Sequence, residues 1–349
     1  MRENKDDVQV LAPNLNRRLS GVTTTVLRLI PVQARKIHIR ATGLGLPENV
    51  PHISLWRVSV LPRNRWRVWH ARRNNEMVLG LVFTKLLRRK FKLLFTSAAQ
   101  RNHKPFTKRL ISKMDALVAT SPQAASFLDH PATVIMHGID TVVFHPAPDR
   151  MALRAQMKMP SGFLIGCFGR IRPQKGQDLL VQAALELLPS RPDVHIVFAG
   201  LTTKEFEPFQ ADLEAKLVEA GLADRVTFLG ELPWADVVKL YQTLDLFVAP
   251  ARREGFGLTP IEAMACGTPA VACHEVGAFD AQIKEGVTGR LIEKDNARAL
   301  TTALSGLIDD RAGTQNMREA ARAHVEKDFS IQRESDALID TYEALLTNE

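Results

Sequence analysis

From Phe163 onward the chain alternates short apolar runs with segments of helical period, and this alternation constrains the fold more than any other feature. Phe163-Leu-Ile-Gly-Cys-Phe168, His195–Gly200, Val226–Gly230, Leu244-Asp-Leu-Phe-Val-Ala-Pro250 and Thr268-Pro-Ala-Val-Ala-Cys273 read as strands. Gln177–Leu188 and Phe206–Glu219 read as helices, and Glu231–Tyr241 as a loop entering a third. Strands alternating with helices imply a parallel sheet covered on both faces. The first half repeats the pattern more loosely. Val8–Ala12, Leu93–Thr96 and Asp115–Ser121 are its strands; Val22–Ile30, Met77–Leu87 and Pro122–Leu128 are its helices. A chain of 349 residues has room for two such α/β domains. The Pro-rich Phe144-His-Pro-Ala-Pro-Asp149 has the composition of a connection, dividing the chain into domains over 1–148 and 149–330.

Open α/β sheets bind ligands outside the carboxyl ends of their strands. Glu254-Gly-Phe-Gly-Leu-Thr-Pro-Ile-Glu262 occupies such a place, with Glu254 on the loop after a strand and Glu262 on the first turn of a helix. Gly255 and Gly257 let backbone N–H groups approach a ligand, and the helix start favours anions. Carboxylates only accept hydrogen bonds, so a pair of them suits hydroxyl-rich partners such as sugars and ribose. A plainer reading stands beside this one: Thr259-Pro-Ile-Glu262 is a capping box with Pro at the first helical position. The loop Gly169-Arg-Ile-Arg-Pro-Gln-Lys-Gly176 supplies glycines at each end, cations and a following helix N-terminus, a combination suited to a diphosphate. Gly21 is a strand-to-helix glycine, either a plain turn residue or a point of close ligand approach. Arg40–Pro47 lacks the third glycine of a dinucleotide fingerprint and runs into Pro47, so that reading fails.

Charge is unevenly placed. Residues 1–150 carry 25 Lys and Arg against 9 Asp and Glu, net +16, and the remainder carries 21 against 29, net −8. A basic first half calls for an acidic partner, an anionic membrane surface or nucleic acid. Cys167, Cys266 and Cys273 are too few and scattered for a disulfide framework or a metal site, and fit a reducing cytosol. The N-terminus lacks an apolar signal core, and the longest apolar run, Met77–Phe83, is too short to span a bilayer.

The stretch 254–262, with the Ala-Cys-Gly-Thr-Pro that follows, resembles the paired-glutamate signature of the family 4 retaining glycosyltransferases. The resemblance implies the GT-B fold: two facing doubly wound Rossmann-like domains, with a last helix, 331–349, returning to the acceptor-side first domain. It implies a nucleotide-sugar donor bound mainly by the second domain. Arg170 and Lys175 would take its pyrophosphate, Glu254 the sugar hydroxyls and Glu262 the ribose. Gly21, Gly169, Leu232, Gly255, Phe256, Gly257 and Leu258 would complete the donor site, with Arg170, Lys175 and Glu254 as the catalytic set. No Asp-x-Asp occurs, so the basic loop stands where a divalent ion would otherwise bridge the diphosphate, and no metal or other cofactor is expected.

Within the first half, Trp69-His-Ala-Arg-Arg-Asn-Asn-Glu76 and Phe95-Thr-Ser-Ala-Ala-Gln-Arg101 look like bacterial lipopolysaccharide core mannosyltransferases, which use GDP-mannose. That resemblance implies an anionic lipid-linked saccharide acceptor and a cytoplasmic enzyme peripheral to the inner membrane face. His70, Arg72, Arg73, Ser97, Arg101 and His103 are the acceptor-side candidates. Two alternatives stay open: a UDP-hexose transferase of the same envelope pathway, and a non-catalytic basic lipid- or nucleic-acid-binding protein. The nucleic-acid reading leaves Glu254, Glu262 and the 169–176 loop without a purpose.

Overall fold

The computed structural model describes residues 7–16 and 21–347. Two compact units emerge, one from residues up to Gly138 together with Ile331–Glu349, the other from Ile139–Ser330. Among the described residues the first unit holds strands β1 (Val10–Asn14), β2 (Ile39–Gly43), β3 (Arg67–Ala71), β4 (Phe91–Ser97), β5 (Ala116–Ala119) and β6 (Thr133–Val134). They form one parallel sheet in the order β2-β1-β3-β4-β5-β6. The second unit holds β7 (Phe163–Phe168), β8 (Val194–Ala199), β9 (Val226–Phe228), β10 (Leu246–Ala249), β11 (Ala270–Cys273) and β12 (Gly289–Ile292). Its parallel order is β12-β11-β10-β7-β8-β9. Both sheets are doubly wound, as the alternation of strands and helices requires.

Period-two side-chain alternation builds a core on each face of the first sheet. Val10, Ala12, Val68 and Leu94 pack with Val26, Leu29 and Ile30 of the helix Gly21–Gln33 and with Leu338, Ile339 and Tyr342 of the helix Ile331–Thr347. Leu11, Trp69, Leu93 and Phe95 pack on the other face with Val58, Met77 and Phe83. Glu334, at the start of the last helix, accepts a bond from Gly138 N–H at 2.8 Å and pairs with His137 at 2.6 Å. The terminal helix therefore belongs to the first unit. Ile139–Pro148 packs with the second, where Phe144 sits against Tyr241 and Trp234 and Arg322 donates to the carbonyls of Phe144 and Thr141.

Some expected boundaries move. β1 runs past the expected end at Ala12 through Pro13 and Asn14, and residues 17–20 lie outside the described residues. Met77–Leu87 is not one α-helix. An α-helix over Asn74–Leu81 passes into a π-turn at Val82–Leu86, where Thr84 Oγ1 donates back to the carbonyls of Gly80 and Leu81. Arg88 then adopts φ 49°, which ends the segment and leaves Leu86 and Leu87 exposed among cations. The three cysteines are buried thiols, each pushed up to about 12 by burial. No described helix is long and apolar enough to cross a membrane.

Candidate active site

In the second sheet the winding direction reverses between the paired neighbours β7 and β10, the place where doubly wound sheets open a crevice at their carboxyl ends. The loop after β7 carries Lys175 and the loop after β10 carries Glu254, and the two side chains form an ion pair. Both remain partly exposed, at 19% and 23%. Backbone geometry builds this pair. Gly176 has φ 73°, and a Cβ there would lie 1.9 Å from Pro250 O, so glycine is required where the β7 loop touches the end of β10. Gly176 also caps the helix Gln177–Leu187 without a side chain to occupy the first-turn N–H groups. Gly257, at φ 83°, lets Phe279 and the stem of Glu254 close around it.

Other residues hold the pair in place. Arg252 is bidentate to Asp178 at 2.8 and 2.7 Å and also reaches Pro173 O and Asp295, so the 169–176 loop is anchored from β10's side. Gln282 Nε2 donates to the carbonyls of Phe256 and Gly257 at 3.3 and 2.9 Å. Tyr241 OH donates to Glu262 Oε2 at 2.8 Å. Burial and the neighbouring Glu262 push the Tyr241 phenol well above its ordinary range, so it acts as a fixed donor. The capping reading of Thr259–Glu262 fails here. The cap position falls at Leu258, whose side chain makes no cap bond, and Glu262 N–H donates to Leu258 O at 2.9 Å.

The structure thus brings Gly169, Lys175, Glu254, Phe256 and Gly257 to one end of β7 and β10; a Cβ on Gly169 would lie 3.7 Å from Lys175 Nζ. Arg170 is exposed on the same loop, with its carbonyl held by Gln177. Gly255 and Leu258 are half-buried in the glycine turn. Leu232 is half-buried between β9 and the helix Trp234–Thr243, two strands from β7. Sequence reasoning missed Tyr241, Arg252 and Gln282. Tyr241 closes a stretch legible only as a loop entering a helix, and the partners of the other two lie 25 to 79 residues away.

The first sheet reverses its winding between β1 and β3. Gly21 opens the helix after β1. Arg73, just past β3, donates to Asn14 Oδ1 at 3.0 Å and Thr23 Oγ1 at 2.9 Å and pairs with the buried Glu76 at 2.8 Å. Arg72 N–H donates to the other oxygen of Glu76. Ser97, at the end of β4, faces His103 Nε2 at 3.1 Å, and Arg101 is exposed between them. Burial and then Lys108 lower the pKa of His103. His70 departs from its expected role as an acceptor contact. It is 1% exposed, its ring nitrogens meet Tyr342 OH at 2.7 Å and Thr96 Oγ1 at 2.6 Å, and burial pulls its pKa well below the ordinary range. It is a core histidine that fastens the terminal helix to β3.

Comparison with known proteins agrees with this architecture. The family model for glycosyl transferases group 1 matches residues 151–324. The chain is 47% identical to the lipopolysaccharide core biosynthesis mannosyltransferase LpcC of Rhizobium leguminosarum bv. viciae, over 97% of each chain. It is 44% identical to the corresponding LpsB of Rhizobium meliloti, over 97% of this chain and 98% of that one. Among solved structures, Anabaena HepE in complex with UDP superposes with a TM-score of 0.84 at 19% identity, over 97% of this chain and 100% of that one, a likeness of fold.

Proposed function

The chain belongs to the group 1 glycosyl transferases, and we propose that it moves mannose from GDP-mannose to an acceptor of the lipopolysaccharide core, with retention of configuration. The observation that carries the reading is the Lys175–Glu254 pair set over a glycine turn at the β7/β10 reversal. The names of two relatives matched along nearly their whole length support the sugar and the acceptor.

In the site without donor, Lys175 and Glu254 neutralise each other. A bound diphosphate supplies Lys175 with a better partner, and Glu254 then turns its oxygens to the hydroxyls of the sugar. Arg170, exposed on the same loop, adds a second cation. Lys175, Arg170 and the helix start at Gln177 stabilise charge growing on the departing diphosphate as the sugar–phosphate bond breaks, the largest catalytic contribution these residues can make. Glu262, fixed by Tyr241, accepts from the ribose. The proposal needs no divalent ion, so transfer is expected to persist in EDTA.

The first unit carries 25 Lys and Arg against 12 Asp and Glu, net +13. This charge suits an anionic acceptor and an anionic inner-membrane surface. Leu86, Leu87 and Trp56 are exposed in this unit, and Arg63 Nη2 donates to Leu87 O at 3.0 Å. Lys85, Arg88 and Lys90 surround that turn, an apolar tip ringed by cations fit for peripheral contact with lipid.

A thermal-shift series with GDP, UDP, ADP and their sugar conjugates, followed by transfer of labelled mannose to isolated core acceptor, tests the proposal. Stabilisation by GDP and GDP-mannose with label transfer is expected. Stabilisation by uridine nucleotides alone moves the donor to UDP-hexose, and no response to any nucleotide sinks the enzymatic reading in favour of a binding protein.

A further inference from the structure

The second unit has a further cavity, at the amino ends of β7 and β10, opposite the Lys175–Glu254 pair. Its volume is about 240 Å³, and its lining includes Arg150, Arg154, Arg311, Arg318, Asp245 and Phe163. Asp245 is shared by Arg150 and Arg154 and also accepts from Leu164 N–H at 2.7 Å, so its oxygens are committed. Arg154 is structural, since it also holds the carbonyls of Thr243 and Gly162 at 2.7 Å each. Arg311 pairs with Asp193 at 2.7 Å and lies over the Phe163 ring. Arg318 differs from the others. It donates to Leu244 O at 2.9 Å, and among the described residues it forms no ion pair.

Four guanidinium groups thus face two carboxylates, a formal surplus of two positive charges at the wall of a pocket. Among the four only Arg154 is buried, and it is paired. Arg318 is half-buried, has no carboxylate of its own among the described residues and stays within reach of a ligand, and a partly desolvated cation favours an anionic partner. Burial is the main cause that pushes the Arg318 pKa down to about 10, with Arg150 and Arg154 adding to it and Asp245 opposing it. The missing component is an anion. Guanidinium forks match tetrahedral phosphate oxygens in pairs, and the cavity is smaller than the pockets that enclose nucleotide-sized ligands.

We propose that this arginine pocket binds a phosphate-class anion, free or carried on a small sugar, at a site separate from the donor loop. Arg318 and Arg150 would grip it from the helices Arg311–Asp328 and Arg150–Gln156.

The test uses the full chain carrying Lys175→Ala, which disables the donor loop, in inorganic phosphate, pyrophosphate or mannose 6-phosphate, each matched in ionic strength with potassium chloride. At four to five times its dissociation constant the anion is expected to raise Tm by about 2–4 °C. Adding Arg318→Met should abolish that rise while holding or raising Tm in chloride, because the unpaired cation is removed. Arg150→Gln is a second variant should Arg318→Met fold poorly, and it too should abolish the rise. A response to all three anions assigns the site to the phosphate group itself; a response to the inorganic anions alone assigns it to the free form. A rise that survives both arginine substitutions, or that chloride reproduces, overturns the proposal. So does a rise seen in the parent chain and lost in Lys175→Ala alone, which would place the anion at the donor loop.

Discussion

At the winding reversal of the first sheet, Arg73 and Glu76 are paired and further tied to Asn14, Thr23 and the Arg72 amide. At the equivalent reversal of the second sheet, Lys175 and Glu254 are paired across two loops and left partly open to solvent. The same topological point holds a cation and a carboxylate in both units. In the first, Glu76 is fully buried and the cluster is internally satisfied, so its cost and benefit are structural. In the second, both side chains stay within a ligand's reach, as the proposed donor role requires. Topology therefore supplies a place for charge, and burial decides whether that charge holds the fold or meets a substrate.

The contrast can be broken most forcefully at Arg73. Arg73→Ala leaves Glu76 buried without its cation, and about 3–5 kcal/mol of stability should be lost, read as a fall in the urea midpoint of the first unit. A loss below 1 kcal/mol would mean that the cluster is not structural. Next comes Lys175→Ala, expected to lower kcat/KM for sugar transfer by about 10²–10³ while moving Tm little. A large drop in Tm with modest loss of rate would make this pair structural too and erase the difference.

A pH series sharpens the structural side. His70 is neutral in the fold because burial depresses its pKa, while in the unfolded chain it takes a proton below about 6.5. The unfolded state then binds more protons, so stability is full above that pH and falls as pH drops towards the folded pKa. The slope is at most about 1.4 kcal/mol per pH unit. His70→Asn should flatten this slope in denaturation curves between pH 6.5 and 5. The smallest effect belongs to Tyr241→Phe. Losing the hydrogen bond that orients Glu262 is worth about 1 kcal/mol, expected as a several-fold rise in donor KM with kcat nearly unchanged.

Legibility of the sequence follows the same divide. The second unit could be read because its charged loops are contiguous: Gly169–Gly176 and Glu254–Glu262 each keep their glycines, charges and helix start within nine residues. The Lys175–Glu254 pairing spans 79 residues and needed the β7/β10 neighbourhood to be known. In the first unit, Arg73 lies 59 residues from Asn14 and His70 lies 272 from Tyr342, so no local pattern separates a core histidine from a surface one. The π-turn at Val82–Leu86 was likewise invisible, since its residues carry an ordinary helical period and Thr84's back-bonding has no sequence signature.

The return of Ile331–Thr347 to the first unit also fixes an order of completion. During synthesis the β1–β6 segment leaves the ribosome first, yet its core lacks Leu338, Ile339 and Tyr342, and Glu334 is not there to receive the Gly138 amide. The second unit, contiguous over Ile139–Ser330, can close before its predecessor does. Of the two units, the one begun earlier is completed later, so the basic sheet stays unsealed until the seventeen-residue helix Ile331–Thr347 has been translated.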